Sequence, residues 1–187
     1  EAQAKWEKSP TALREEFLAF LANYIGQHTE NLAKIIHLEA GKEMGDAKLE
    51  AGRTASVYTQ TVSDAKAQIY ADGVPSEEVV TPAGVVGVIT SYNFPQTVAH
   101  WSAAPAIRAG NAVIWKPSEI TPLSALAYDG LYKNAVAAFN TQKGYEAVPQ
   151  NLMQILPADR QLSSQMVASE NVDMVAATGS VGMCEAL

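Results

Sequence analysis

Cysteine is almost absent from this sequence: Cys184 is the only one in 187 residues. A disulfide framework is thereby excluded, and a single thiol fits a reducing compartment, so a cytoplasmic location is expected. Basic clusters are missing too. Thirteen Lys and Arg stand against 20 Asp and Glu, a net charge of −7. The cations are scattered singles, which argues against a nucleic-acid partner. No apolar run approaches the ~18 residues a bilayer span needs, so no membrane association is expected. The N-terminal stretch does not read as a secretion signal. The three histidines, His28, His37 and His100, lack ligand spacing. They predict surface or helix-face positions and no metal site. Glu15-Glu16 and Glu77-Glu78 read as solvated charges. Repeats and low-complexity tracts are absent, and 48% hydrophobic with 18% charged residues is globular composition, enough for one domain with a substantial core.

What is present is organised around residues 84–122, GVVGVITSYNFPQTVAHWSAAPAIRAGNAVIWKPSEITP. Val85-Val86-Gly87-Val88-Ile89 is a short β-branched run between Gly84 and Thr90-Ser91, the pattern of a fully buried strand. Asn93-Phe94-Pro95 breaks the chain, because Pro95 fixes its own φ and disfavours helical geometry at Phe94. Residues 97–108 predict an amphipathic helix that stops at Gly110-Asn111. Ala112-Val113-Ile114-Trp115 is a second buried strand, ending on Lys116-Pro117. Strand, helix and strand form a βαβ unit, so the fold class is α/β with an open parallel sheet.

Upstream, the sequence predicts a helical segment over residues 1–72. Leu13, Phe17, Phe20, Leu21 and Tyr24 recur at helical spacing over 11–26, after a Ser9-Pro10 start. Thr29 is the expected cap of a second helix over 29–39, with Leu32, Ile35, Ile36 and Leu38 inward and Gly41 at its end. A third helix over 43–71 has its apolar face interrupted at Gly52, and Asp72-Gly73-Val74-Pro75 closes it. Residues 77–81 read as a strand. Downstream, Thr121-Pro122 opens a helix reaching 139, followed by a loop over 140–151. A strand over 152–156, a helix over 162–168, a strand over 172–177 and a helix beginning after Ser180 complete the pattern. Met153, Met166 and Met174 read as core filler.

Ligands of open α/β sheets gather beyond the carboxyl ends of the strands. Ile89, Thr90, Ser91 and Asn93 lie at or just past the end of the first strand, and Lys116, Ser118 and Glu119 at or just past the second. An amide, a cation and a carboxylate therefore collect on one rim. Taken singly, each has an ordinary reading. Asn93 makes a turn before Phe-Pro, Lys116 and Glu119 are solvated charges at a helix start, Gly179-Ser180 is a common turn, and Trp101 packs in the core. The GxGxxG fingerprint is absent.

In combination these residues resemble the NAD(P)-dependent aldehyde dehydrogenases. The matching blocks are Tyr92-Asn93-Phe94-Pro95, Gly110-Asn111, Lys116-Pro117-Ser118-Glu119 with Thr121-Pro122-Leu123, and Thr178-Gly179-Ser180, with Gly41-Lys42 upstream. They occur in family order and cover nearly the whole chain. Val74-Pro75-Ser76-Glu77 and Ala177-Thr178-Gly179-Ser180 lean toward the antiquitin-like branch. The resemblance implies a Rossmann-like sheet, part of the aldehyde dehydrogenase fold, with residues 1–187 as an incomplete dinucleotide-binding domain whose sheet region is 84–187. It implies that Asn93 is the catalytic oxyanion-hole donor. It implies that Ile89, Thr90, Ser91, Lys116, Ser118, Glu119, Gly179 and Ser180 bind the cofactor. Lys116 and Glu119 would hold the adenine ribose, and Gly179-Ser180 the pyrophosphate at a helix start. NAD is expected over NADP, which stays possible, because Glu119 would repel a 2′-phosphate. Trp101 resembles an aromatic near the family's aldehyde tunnel. Departures are Val181, where the family has Thr, and Thr90-Ser91-Tyr92, where many relatives have Pro-Trp before the Asn.

Family chemistry oxidises an aldehyde to a carboxylic acid through a cysteine thiohemiacetal, with a Glu activating water. The Gly-Gln-x-Cys and Glu-Leu-Gly-Gly contexts of those residues do not occur here. Gly26-Gln27 runs on into His28-Thr29, and Cys184, beside the Gly179 turn, reads as a structural or surface thiol. The expectation is a piece of a longer enzyme, without the catalytic domain and inactive alone. The parent would take an aldehyde substrate and assemble as a homodimer or homotetramer. The alternatives are a non-catalytic nucleotide-binding module derived from the family and an unrelated doubly wound enzyme.

Overall fold

The computed structural model describes residues 1–64 and 80–185. A single turn, α1 (Ala2–Trp6), precedes three longer helices, α2 (Thr11–Gln27), α3 (Thr29–Ala40) and α4 (Met44–Asp64). Then follow β1 (Val85–Ile89), α5 (Thr97–Ala109), β2 (Ala112–Lys116), α6 (Pro122–Lys143), β3 (Met153–Ile155), α7 (Arg160–Val167), β4 (Met174–Ala177) and α8 (Val181–Cys184). All strand pairs are parallel and the sheet order is β3-β2-β1-β4. The Rossmann-like α/β expectation, with its helical N-terminal segment, therefore holds. Among the described residues no helix is long and apolar enough to cross a membrane, and no cluster of His, Cys, Asp and Glu could hold a metal.

The helical segment and the βαβ unit share one apolar core. Trp6, which no expectation covered, is fully buried. It donates its indole N–H to the Ile107 carbonyl at 2.7 Å and meets the Phe17 ring edge-on at 6.0 Å. Phe17 in turn packs on Phe139 of α6 at 5.4 Å. Two carboxylates tie the layers together at helix starts, where backbone N–H groups lack intrahelical partners. Glu39 of α3 accepts the N–H groups of Leu123 at 2.6 Å and Ser124 at 2.7 Å. Glu50 of α4 accepts those of Gln96 at 3.0 Å and Thr97 at 3.4 Å. Each places negative charge at the positive end of a helix on the sheet, α6 and α5 respectively.

Several expectations are corrected. Leu38 is exposed, since the buried face of α3 is Leu32, Ala33 and Ile36 and Leu38 sits two residues, about 200°, beyond Ile36. Thr29 is the first residue of α3 rather than its cap, with its hydroxyl donating back to the Gly26 carbonyl at 3.0 Å. The helix expected to stop at 139 continues to Lys143 and ends on Gly144 at φ 76°, so the loop expected over 140–151 begins only at Gly144. Helix α7 starts at Arg160 because Asp159 caps it through the Leu162 N–H. Glu15 and Glu16 pair with Arg108 and Lys143 instead of standing as free charges. Met153 and Met166 are core residues, while Met174 on the edge strand is exposed. Residues 65–71 of the third helix, 72–75 of its stop, Glu77-Glu78 and 77–79 of the expected strand lie outside the described residues. Val80 and Thr81 are in no strand.

Candidate functional site

Strand β1 pairs on one side with β2, its successor in the βαβ unit, and on the other with β4. The direction of winding therefore changes between β1 and β4, the position at which open α/β sheets form a crevice. A cavity of about 550 Å³ opens there. It is lined by Ile89, Thr90, Ser91, Lys116, Ser118, Glu119, Gly179 and Ser180. All eight residues singled out from the sequence as cofactor ligands thus face one space, brought together from the ends of three strands.

Its polar centre is an ion pair. The Lys116 side chain is only 4% exposed, and its Nζ donates to Glu119 Oε2 at 3.0 Å. Arg160 of α7 approaches the other carboxylate oxygen at 3.6 Å. The Glu119 backbone N–H, then Lys116 and Arg160, hold the Glu119 carboxyl below the usual carboxylate range, so it is ionised at neutral pH. A donor and an acceptor side by side form the pattern that suits a pair of adjacent hydroxyls. Ser118 accepts the Ile120 N–H at 3.2 Å and shapes the turn that carries Glu119. Ser180 caps α8 by accepting the Met183 N–H at 3.2 Å. Thr90 is buried and its hydroxyl accepts the Trp115 indole N–H at 2.9 Å, which locks the end of β1 to β2.

Asn93 is not part of this cavity. It is exposed in the turn between β1 and α5, and its side-chain oxygen accepts the Ser91 hydroxyl at 2.6 Å. Trp101 is exposed, not packed in the core, one face further round α5. His28 and His37 donate Nδ1–H to backbone carbonyls of Tyr24 and Lys42. His100, by contrast, is fully buried on the inner face of α5; of its two expected placements, surface or helix face, the first is corrected. Its Nδ1 bonds the Tyr58 hydroxyl at 2.9 Å, and that hydroxyl bonds the Tyr128 hydroxyl at 2.8 Å. Its ring lies 4.1 Å from Tyr128 and 5.5 Å, edge-on, from Trp115.

Sequence reasoning missed Arg160, Ser163 and Ser164 of α7, which also line the cavity. They reach it only because α7 follows β3 back across the sheet. Asp159 as a helix cap was the one local signal for where α7 begins. Tyr92, Ile120, Gly182 and Met183 complete the wall.

An open parallel sheet with a charged cavity at its switch point defines a doubly wound α/β protein. The sequence matches the aldehyde dehydrogenase family over residues 1–187. The 3,6-anhydro-alpha-L-galactose dehydrogenase of Streptomyces coelicolor is 32% identical over 186 residues, covering 96% of this chain and 35% of that protein. Glyceraldehyde-3-phosphate dehydrogenase of Methanocaldococcus jannaschii, solved complexed with NADP, superposes with a TM-score of 0.84 at 28% identity, covering 98% of this chain and 40% of that one. A point mutant of Staphylococcus aureus betaine aldehyde dehydrogenase, solved with NAD+, superposes with a TM-score of 0.78 at 25% identity, covering 96% and 36%. The chain belongs to the aldehyde dehydrogenase family. It spans between 35% and 40% of the length of these three relatives.

Proposed function

We propose that residues 1–187 belong to the dinucleotide-binding domain of an aldehyde dehydrogenase that oxidises an aldehyde to its acid with NAD. The supporting observation is the convergence of Lys116, Ser118, Glu119 and the Gly179-Ser180 turn on one cavity at the sheet's switch point. The residues present fit the adenosine half of the cofactor. Lys116 donates to the ribose hydroxyls, the ionised Glu119 accepts from them, and the Gly179-Ser180 turn faces the pyrophosphate. The relatives solved with NADP and with NAD+ support a nicotinamide cofactor of either kind. Glu119 selects between them, because its carboxylate opposes a 2′-phosphate. When bound, the nicotinamide would accept the hydride released from the substrate carbon.

Asn93 is the group of this chain assigned to the chemistry. Its side-chain N–H₂ would donate to the aldehyde oxygen as negative charge develops there, a role worth about 3 kcal/mol in the transition state. Ser91 occupies the Asn93 carbonyl oxygen and so fixes which end of the amide is free to donate. The thiohemiacetal forms on a cysteine outside this chain, and the chain alone is inactive. Placement in the antiquitin-like branch rests only on the blocks at 74–77, outside the described residues, and 177–180.

The test is reduction of NAD and of NADP by the full-length protein with a panel of propanal, benzaldehyde, lactaldehyde and betaine aldehyde. Aldehyde-dependent NADH formation that falls by about a hundredfold in Asn93→Ala supports the proposal. Tight NAD binding without turnover of any aldehyde supports the non-catalytic module instead.

A further inference from the structure

The turn that carries Asn93 has an unusual tether. The residues directly after Asn93 are held by one partly buried ion pair belonging to the helical segment rather than to the sheet. Glu50 of α4 has a side chain 1% exposed, and its Oε2 receives the Lys42 ammonium at 2.6 Å. Its other oxygen, Oε1, accepts the N–H groups of Gln96 and Thr97 at 3.0 and 3.4 Å, directly after Pro95. The Thr97 hydroxyl closes the same contact on the Glu50 carbonyl at 2.8 Å and meets Thr54 Oγ1 at 3.1 Å. Lys42 does more than neutralise Glu50. Its Nζ lies 3.7 Å from the centroid of the Phe94 ring, the residue directly after Asn93.

The geometry points to Lys42 and Glu50 as positioning residues for Asn93: an ion pair that holds Phe94, Gln96 and Thr97, and through them the C-terminal side of the turn on which Asn93 sits. The inference rests on the reading of Asn93 as the oxyanion donor. Neither residue touches the reacting atoms. Asn93 and Phe94 are exposed while Pro95, Gln96 and Thr97 are buried, so core packing fixes the chain only as far back as Pro95 and the contact at Phe94 extends that hold toward Asn93. A cation over an aromatic face is attractive, and a buried carboxylate with both oxygens occupied is rigid, because any displacement leaves a charge unpaired in the core. Such precision matters, since a displacement of about 1 Å in a reacting group can cost about a hundredfold in rate.

The experiment compares Lys42→Met, Lys42→Arg and Glu50→Gln in the full-length protein, each alone and combined with Asn93→Ala. It reads kcat and KM with the fastest aldehyde of the panel and hydrogen exchange of the peptide covering residues 92–98. The clamp predicts faster exchange in that peptide for Lys42→Met and Glu50→Gln, with the α2 peptides unchanged. It predicts kcat about ten- to a hundredfold lower, KM for NAD unaltered, and recovery in Lys42→Arg. In the Asn93→Ala background the same substitutions should cost nothing further. Equal losses in both backgrounds, or unaltered exchange at 92–98, overturn the clamp. A normal kcat in Asn93→Ala alone overturns the role of Asn93 and the clamp with it. Should Glu50→Gln fail to fold, Lys42, whose side chain is 18% exposed, carries the test.

Discussion

Acidification should destabilise this protein through His100. The imidazole is fully buried among Tyr58, Trp115 and Tyr128, and its Nε2 has no hydrogen-bond partner. A protonated ring must donate from both nitrogens, so the charge would stand uncompensated in an aromatic core. Burial accordingly pushes the pKa from 6.5 down to about 3. The unfolded chain then takes up a proton near pH 6.5 that the folded chain refuses. Stability from this group is complete above pH 6.5, falls as the pH drops, and stops falling below about 3. At pH 5 the loss is about 2 kcal/mol, from 1.5 pH units at about 1.4 kcal/mol each. The perturbation is His100→Phe, which keeps an aromatic ring and leaves the Tyr58–Tyr128 bond in place. Urea unfolding followed by tryptophan fluorescence, repeated from pH 7.5 to pH 5, measures both proteins. Every other ionisable group is common to the two proteins, so the difference isolates His100. Wild type should lose about 2 kcal/mol more than the variant over this range. Parallel pH dependence in the two proteins would refute a buried neutral imidazole.

Glu119→Ser removes the carboxylate proposed to face the 2′ position. Like charges about 4 Å apart near a surface repel by about 1 to 4 kcal/mol, so the preference for NAD over NADP should fall by about tenfold or more in competitive binding. Glu39→Ala leaves the first N–H groups of α6 without their acceptor and should cost about 1 to 2 kcal/mol in chemical unfolding; an unaltered midpoint would show that solvent replaces Glu39 fully. Gly110→Ala should cost about 2 kcal/mol, because Gly110 sits at φ 103° and a Cβ there would collide with the Arg14 guanidinium. Circular dichroism melts of that variant check the loss.

The βαβ unit was legible because its signals are local: β-branched runs for β1 and β2, a Pro-containing turn, and Gly110 as a helix stop. Helix α6 was read short because Asn140, Thr141 and Gln142 look like loop residues, although Lys143-Gly144 carried the true stop. Burial was harder to read than secondary structure. His100 and Trp101 are adjacent on α5, yet the first is enclosed and the second exposed. Both neighbours are apolar or small enough that periodicity alone does not fix the inward face. The eight cavity residues were legible as family blocks placed at strand ends. Arg160 was not, because it reaches Glu119 through tertiary packing of α7 and no sequence neighbour announces it. The same holds for Lys42 and Glu50, which lie eight positions apart and act on a turn more than forty residues away.

In the proposed reading, the cavity between β1 and β4 holds the adenosine end of the cofactor. A crystal structure of the full-length protein grown with NAD tests it directly. The adenine ribose is expected between Lys116 Nζ and the Glu119 carboxylate, each within hydrogen-bond distance of a ribose hydroxyl, and the pyrophosphate against Gly179-Ser180. An adenosine bound elsewhere, with Lys116 and Glu119 still paired only to one another, would contradict it.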